Sequence, residues 1–323
     1  MTVPECEHYV TLFDITFAPQ GVALHASLSR QSENFCLWVL CMDQETFRLL
    51  TLLKLKNVVP LSRLEWETRR LREISVTRSW REYCWTVTPF TFDIVFERSD
   101  AQRVTYVDAD IWFYRPPRPL FDLFERGNHS ALITDHGYAP EYDMTRDHGR
   151  FCVQFLTFDR LHSASIRRRW QEQCLEWCFE KPDGNRYGDQ KYLDSWPKDY
   201  GDSVLIPPPS LFLGPWNAVR FPHGGGVGYH FHKLRVNPGS RLISIGRYEI
   251  PGTTFEKLYQ PYVLELRRIH NQMKCYGFEP RNQLKVGRRA LSRFWIGRAL
   301  SVIWPRAIRK SKSGLMFVRN HSL

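Results

Sequence analysis

Two carboxylates, Asp108 and Asp110, interrupt the apolar and aromatic run Tyr106-Val107-Asp108-Ala109-Asp110-Ile111-Trp112-Phe113. Unpaired charge is rarely left inside a buried strand, because desolvating it costs several kcal/mol. The i, i+2 spacing puts both side chains on one side if the strand runs through, or at a sheet-edge cleft if it ends in a turn. Two hard oxygen ligands facing one spot suit Mg²⁺ or Mn²⁺, ions commonly shared with substrate phosphates. The competing reading is two solvated acids in a strand-end turn.

The elements around this run must put it at a cleft. Residues 9–14 read as a short buried strand, 19–30 as a helix with a proline near its first turn, and 35–42 as a continuous apolar strand covered on both faces. A helix over 44–54, capped by Asp43, and a strand beginning at 57–60 complete a βαβαβ alternation, which predicts a doubly wound α/β sheet. Residues 62–98 read as mostly helical, with Pro89 marking a break. A strand over 104–108 then ends at the two acids. A stiff connector (115–119), a short helix (120–125), strands over 130–134 and 151–158, a polar loop over 135–149, helices over 165–180 and 188–196, and a strand over 203–206 follow. Ligands of open α/β sheets bind beyond the carboxyl ends of the strands. Asp14 lies at one such end, either accepting a hydrogen bond from a base or ribose or capping the following turn.

At 323 residues, with 43% hydrophobic and 14% aromatic content, the chain is globular, with ample length for a large core. No secretory leader and no uncharged run long enough to span a bilayer is visible. The eight cysteines form no CxxC pair, which suits a reduced, cytoplasmic setting. Net charge is +11, and its distribution is uneven: residues 281–323 carry eleven Lys or Arg and no acid, while the remaining 34 basic and 34 acidic residues cancel. This predicts a neutral domain over 1–265 and a basic, partly amphipathic helical extension over 266–323.

The stretch YVDADIWFY, followed by PLFDLF, resembles the DxD region of glycosyltransferases with the GT-A fold. It is similar to glycosyltransferase family 8 and to bacterial transferases that build lipopolysaccharide and other surface glycans. Val153-Gln154-Phe155, Gly188-Asp189-Gln190-Lys191-Tyr192-Leu193, Pro215-Trp216-Asn217 and Tyr229-His230-Phe231-His232 follow in the family's order. The resemblance runs from about residue 9 to about 265. It implies a Rossmann-like, mixed but mainly parallel sheet with helices on both faces. It also implies a divalent metal (Mn²⁺ or Mg²⁺) held by Asp108, Asp110 and His230, with His232 the rival. Nucleotide contacts are implied at Asp14, Tyr106, Asp108 and Ala109. The family carries Gly where this chain has Lys233, and its diphosphate-binding lysine is unmatched, so Lys233 or Arg235 would take that part. Asp189 and Gln190 correspond to the pair beside the donor sugar, with Asp189 as a helix cap the plainer alternative. Gln154, Asp135, Trp216 and Asn217 are candidates for sugar or acceptor contacts. For Gln154 the alternative is a buried amide, for Asp135 and His136 loop capping, and for Trp216 ordinary packing.

The resemblance implies a metal-dependent transferase moving a sugar, with retention, from a nucleotide-diphosphate donor to a glycan or lipid-linked acceptor. The tail interleaves Lys and Arg with Phe294, Trp295 and Trp304, which suits a peripheral helix on the inner membrane leaflet better than a nucleic-acid arm, with a helix packed on the domain the plainer alternative. The rivals are a nucleotidyltransferase of related fold and a non-catalytic GT-A-like binding protein. The first would want a Gly-rich basic loop after the first strand, where this chain has FDITFAPQG.

Overall fold

The computed structural model describes residues 6–32, 34–222, 226–237, 242–279, 281 and 315–317. The alternation of apolar side chains explains the layering. In β1 (Glu7–Phe13), Tyr9 and Phe13 face one side while Val10 and Leu12 face the other. β2 (Phe35–Cys41) repeats this, with Leu37 and Val39 on the first side and Trp38 and Leu40 on the second. A strand apolar on both sides needs cover on both, and it has it. The first face carries α1 (Ala18–Gln31), α2 (Gln44–Leu53), and, later, α7 (Arg118–Arg126) and α12 (Gln260–Cys275). The second carries α3 (Arg63–Trp66), α4 (Arg69–Ser75), α5 (Trp80–Val87), α6 (Thr91–Arg98) and α9 (Ala164–Glu176).

The main sheet has seven strands in the order β3-β2-β1-β4-β7-β6-β8. Its other members are β3 (Val58–Leu61), β4 (Arg103–Val107), β6 (Ala131–Asp135), β7 (Phe151–Asp159) and β8 (Val204–Leu205). All run one way except β7, which pairs antiparallel with both β4 and β6. The expected mixed, mainly parallel α/β sheet is therefore present. A second sheet, in the order β5-β10-β9, is built from β5 (Ile111–Phe113), β9 (Phe212–Leu213) and β10 (Gly228–His230). A third joins β11 (Arg235–Val236), β12 (Leu242–Ser244) and β13 (Leu315–Phe317).

Local chemistry sets the boundaries. Asp43 caps α2 by accepting from the Thr46 amide at 2.8 Å, and Ser79 with Glu82 forms a capping box on α5. Pro89 sits in a 3₁₀ turn, Thr88–Phe90, that separates α5 from α6, as its ring and missing N–H require. The expected loop after β6 contains a short helix, α8 (Thr145–His148). Two expected helices are corrected. The one over 165–180 stops at Glu176, because Trp177 is extended. The one over 188–196 begins only at Lys191, as a 3₁₀ turn (Lys191–Ser195) leading into α10 (Trp196–Tyr200). Gly188 has φ +52°, a left-handed conformation that keeps Gly188 itself out of the helix.

After β12 the chain enters α11 (Gly252–Thr254), a π-helical turn (Phe255–Tyr259) and α12. The expected domain boundary at 265/266 falls inside α12, whose Leu266, Ile269 and Met273 join the core. Most of the basic extension lies outside the described residues, and Leu315–Phe317 within it form a strand rather than a helix. Among the described residues no helix is long and apolar enough to cross a membrane. The described cysteines are all free.

Candidate active site

The two acids sit where the main sheet hands over to the second. β4 ends at Val107, and the Asp108 amide donates to the Gln154 carbonyl of β7 at 3.0 Å. The Ile111 amide closes a turn onto the Asp108 carbonyl at 3.1 Å, and β5 leaves in a new direction. Of the two arrangements the sequence allows, a strand running through or a strand-end turn, the structure has the turn. Antiparallel pairing of β5 with β10 sets His230 opposite Ile111, and the Phe231 amide donates to the Asp110 carbonyl at 3.0 Å. Chain-distant His230 is thereby carried to the acids by sheet register.

Asp108, Asp110 and His230 each offer a ligand atom within 4.8 Å of the others, and no other such group occurs among the described residues. The His230 Nε2 lies 3.0 Å from an Asp110 oxygen and 3.8 Å from one of Asp108. Side-chain exposures of 31% for Asp108, 15% for Asp110 and 8% for His230 describe a cluster open on the Asp108 side. His232, the rival ligand, stands outside this group with its ring 5.6 Å from that of His230, edge-on to Trp216.

The electrostatics follow from burial working against mutual attraction. Burial pushes the Asp110 carboxyl up, but the charge and hydrogen bond of His230 outweigh it and hold the group at about 2. His230 is raised well above its ordinary value, because Asp110 overcomes the burial that would lower it. Asp108 is raised, first by burial and further by Asp110, with His230 opposing. His232 is lowered to about 3 by burial and then by the neighbouring His230 charge, so it is a neutral ring.

Around this centre the expected residues take different parts. The Tyr106 hydroxyl donates to Asp108 at 2.9 Å, and Ala109 is buried in the turn. Asp189 is 4% exposed, and its carboxyl accepts from the Gln190 amide just before the 3₁₀ turn. Burial, followed by the charge of Asp108, raises it to about 8, while the Thr88 hydroxyl hydrogen-bonds it. The Trp170 indole N–H donates to the Asp189 carbonyl at 2.8 Å, fixing its backbone. Gly188 before it packs against the face of Trp85, where a Cβ would come within 3.1 Å. Gln190 donates to the His148 carbonyl at 2.8 Å. Asp14 accepts from the Thr16 and Phe17 amides, as a turn cap, and from the Trp80 indole at 2.9 Å. Arg235 lies within electrostatic reach of Asp110 and over the ring of Phe17, whereas Lys233 is exposed in a left-handed turn.

The four candidates for sugar or acceptor contacts each have protein partners in this structure. Gln154 is fully buried and bonds the His230 ring at 3.1 Å, a partner that neither a sugar-pocket role nor a backbone-paired amide anticipated. Asp135 caps the Gly137 amide and pairs with Arg150. Trp216 and Asn217 are 3% and 0% exposed, and both donate to the His136 carbonyl at 2.8 Å. Trp216 is packed against the rings of His230 and His232 and offers no open face. His136 is itself buried, stacked on Tyr138.

Sequence reasoning missed Trp80, a half-exposed indole tied to Asp14, and a rim of partly exposed aromatics. Tyr142 meets Tyr248, which meets His232, and His148 stacks on Tyr187 at 4.1 Å. It also missed the Lys191 ammonium, which is buried and donates to the carbonyls of Arg146, Asp147 and Gly184. These residues come from separate segments with no shared spacing, so only the first-turn position of Trp80 after Ser79 carried any local signal.

The sheet order, the reversed β7 and the acid turn after β4 define the GT-A fold. A solved structure of the WbbM bifunctional glycosyltransferase superposes with a TM-score of 0.53 at 13% identity, over 86% of this chain. The chain spans about half of that protein, 52% of its length. By sequence it is 34% identical over 210 residues to YfnF of Bacillus subtilis (strain 168), described as an uncharacterized protein, covering 61% of this chain and 68% of YfnF. The chain belongs to the YfnF family. YfnD of the same organism, also described as uncharacterized, is 27% identical over 281 residues, 81% of this chain and 89% of YfnD. No family model matches the chain.

Proposed function

We propose that this chain is a metal-dependent glycosyltransferase of the family 8 type, moving a sugar from a nucleotide-diphosphate donor to a glycan or lipid-linked acceptor. The observation that carries this reading is the meeting of Asp108, Asp110 and the His230 Nε2 at the carboxyl end of β4. Two carboxylates and one imidazole, open on one side, fit Mn²⁺ or Mg²⁺ and leave positions for diphosphate oxygens. Bound there, such an ion supplies electrostatic stabilisation of the departing diphosphate.

The chain's own residues do the rest. Asp14 and Trp80, at the end of β1, suit the nucleoside, with the half-exposed indole beside the carboxylate. Arg235 and Lys233 suit the diphosphate as cations on the His230 side. Asp189 and Gln190, held by Trp170 and His148, orient the donor sugar. The neutral form of Asp189 donates a hydrogen bond to a sugar hydroxyl as readily as the ionised form accepts one. The rim of Tyr142, Tyr248, His148 and Tyr187 suits the apolar faces of a glycan acceptor. The family 8 resemblance supports retention, and with no carboxylate among the described residues standing as an evident nucleophile, a front-face reaction that the leaving group assists is the route. The basic, aromatic tail supports docking on an anionic inner leaflet, where a lipid-linked acceptor resides.

The test is a panel of sugar nucleotides with Mn²⁺, reading nucleoside diphosphate release and the anomeric coupling of any product by NMR. One donor should react, and Asp110→Ala should abolish release. Formation of nucleoside triphosphate and sugar 1-phosphate when pyrophosphate is added would instead mark a nucleotidyltransferase. Equal activity of Asp110→Ala and wild type would remove the metal from the reading, and an inverted product would remove retention.

A further inference from the structure

Gln154 lies at the middle of β7, fully buried. Its side-chain amide is committed at both ends. The Oε1 faces the His230 Nδ1 at 3.1 Å, and the Nε2 faces the Thr134 hydroxyl at 3.5 Å. Thr134 sits where the β6–β7 register shifts, and its hydroxyl donates to the Cys152 carbonyl at 3.1 Å. With its one hydrogen spent there, the Thr134 oxygen can only accept from Gln154. The amide is thereby oriented with its oxygen toward the imidazole, so Nδ1 must carry a hydrogen and donate it. The lone pair of the neutral ring then sits on Nε2, the atom that faces Asp110 and Asp108.

We propose that Gln154 is a positioning residue for the metal site, fixing His230 in the Nδ1–H tautomer and aiming Nε2 at the two aspartates. The same residue anchors the acid turn, since its backbone carbonyl accepts from the Asp108 amide. One position in β7 therefore sets both halves of the cluster. Partners that hold the second nitrogen of a ligating histidine typically contribute about 10- to 100-fold to metal affinity. The Cys152 thiol also reaches the His230 ring and is the competing positioner. The inference rests on reading Asp108, Asp110 and His230 as a metal site, and the test separates the two.

Full-length wild type, Gln154→Leu, Gln154→Glu, Cys152→Ala and His230→Ala are titrated with Mn²⁺, reading the free ion by electron paramagnetic resonance. Thermal melts in chelator report folding. Gln154→Leu, matched in size but without an acceptor, should bind about 10- to 100-fold more weakly. Gln154→Glu, which accepts the same hydrogen, should return affinity close to wild type, and Cys152→Ala should leave it unchanged. Wild-type affinity in Gln154→Leu overturns the proposal, as does equal loss in the Leu and Glu variants or a loss confined to Cys152→Ala. If wild type takes up no Mn²⁺, or His230→Ala binds it equally well, the metal-site reading itself falls.

Discussion

Replacing Asp110 by Asn tests the electrostatic account of the site without any substrate. The Asp110 carboxylate and the His230 ring lie 3.0 Å apart, with side-chain exposures of 15% and 8%. Truncating one partner of a buried pair costs about 3–5 kcal/mol when the survivor stays charged. His230 escapes part of that by releasing its proton, and Asn still offers an amide oxygen, retaining a hydrogen bond of about 1 kcal/mol. A net loss of about 2 kcal/mol near pH 6 is therefore expected for Asp110→Asn. The pH dependence fixes the sign. Asp110 is depressed to about 2, so its contribution is present above the ordinary carboxylate value and lost as pH falls toward 2. His230 is raised, so its contribution is full below its ordinary value and lost as pH rises through the raised one. Urea denaturation in chelator should show the widest gap between the two proteins near pH 6, narrowing toward about pH 3 and again at strongly alkaline pH. A gap independent of pH, or none near pH 6, would refute the reasoning.

Asp189 carries the opposite sign. Burial and the Asp108 charge raise it to about 8, so wild-type stability should decline as pH rises from the ordinary carboxylate range through about 8. Asp189→Asn should remove that slope and melt several degrees higher in alkaline chelator buffer, checked by calorimetry. Lys191→Met should lose about 2–4 kcal/mol of stability, because one ammonium ties the 146–147 and 184 segments to the turn bearing Asp189. Equal urea midpoints for Lys191→Met and wild type would sink that account.

The sites that sequence made legible are those whose chemistry is local. Asp108 and Asp110 announce themselves because charge inside an apolar run has to be accounted for. The Asp43 cap, the Pro89 break and the unbroken apolar run of β2 follow from backbone hydrogen bonding and periodicity within a few residues. Helix ends near residues 176 and 191 were less legible. The early end at Glu176 rests on the extended backbone of Trp177, and the late start on the left-handed turn at Gly188, whose Cα packs on Trp85.

Sequence order predicted an α/β sheet with an acid pair at a strand end, and the family resemblance added a distant histidine to serve it. Tertiary structure decided which histidine meets the acids: His230 and His232 share a face in an extended segment, and only the β5–β10 register sets one opposite the acid turn. It also gave Gln154, Trp216 and Asn217 their partners in His230 and the His136 carbonyl, because a polar group's partner depends on what folding packs beside it. Hydrogen-bond capacity is written in the residue type, whereas its use is set by neighbours that arrive from elsewhere in the chain.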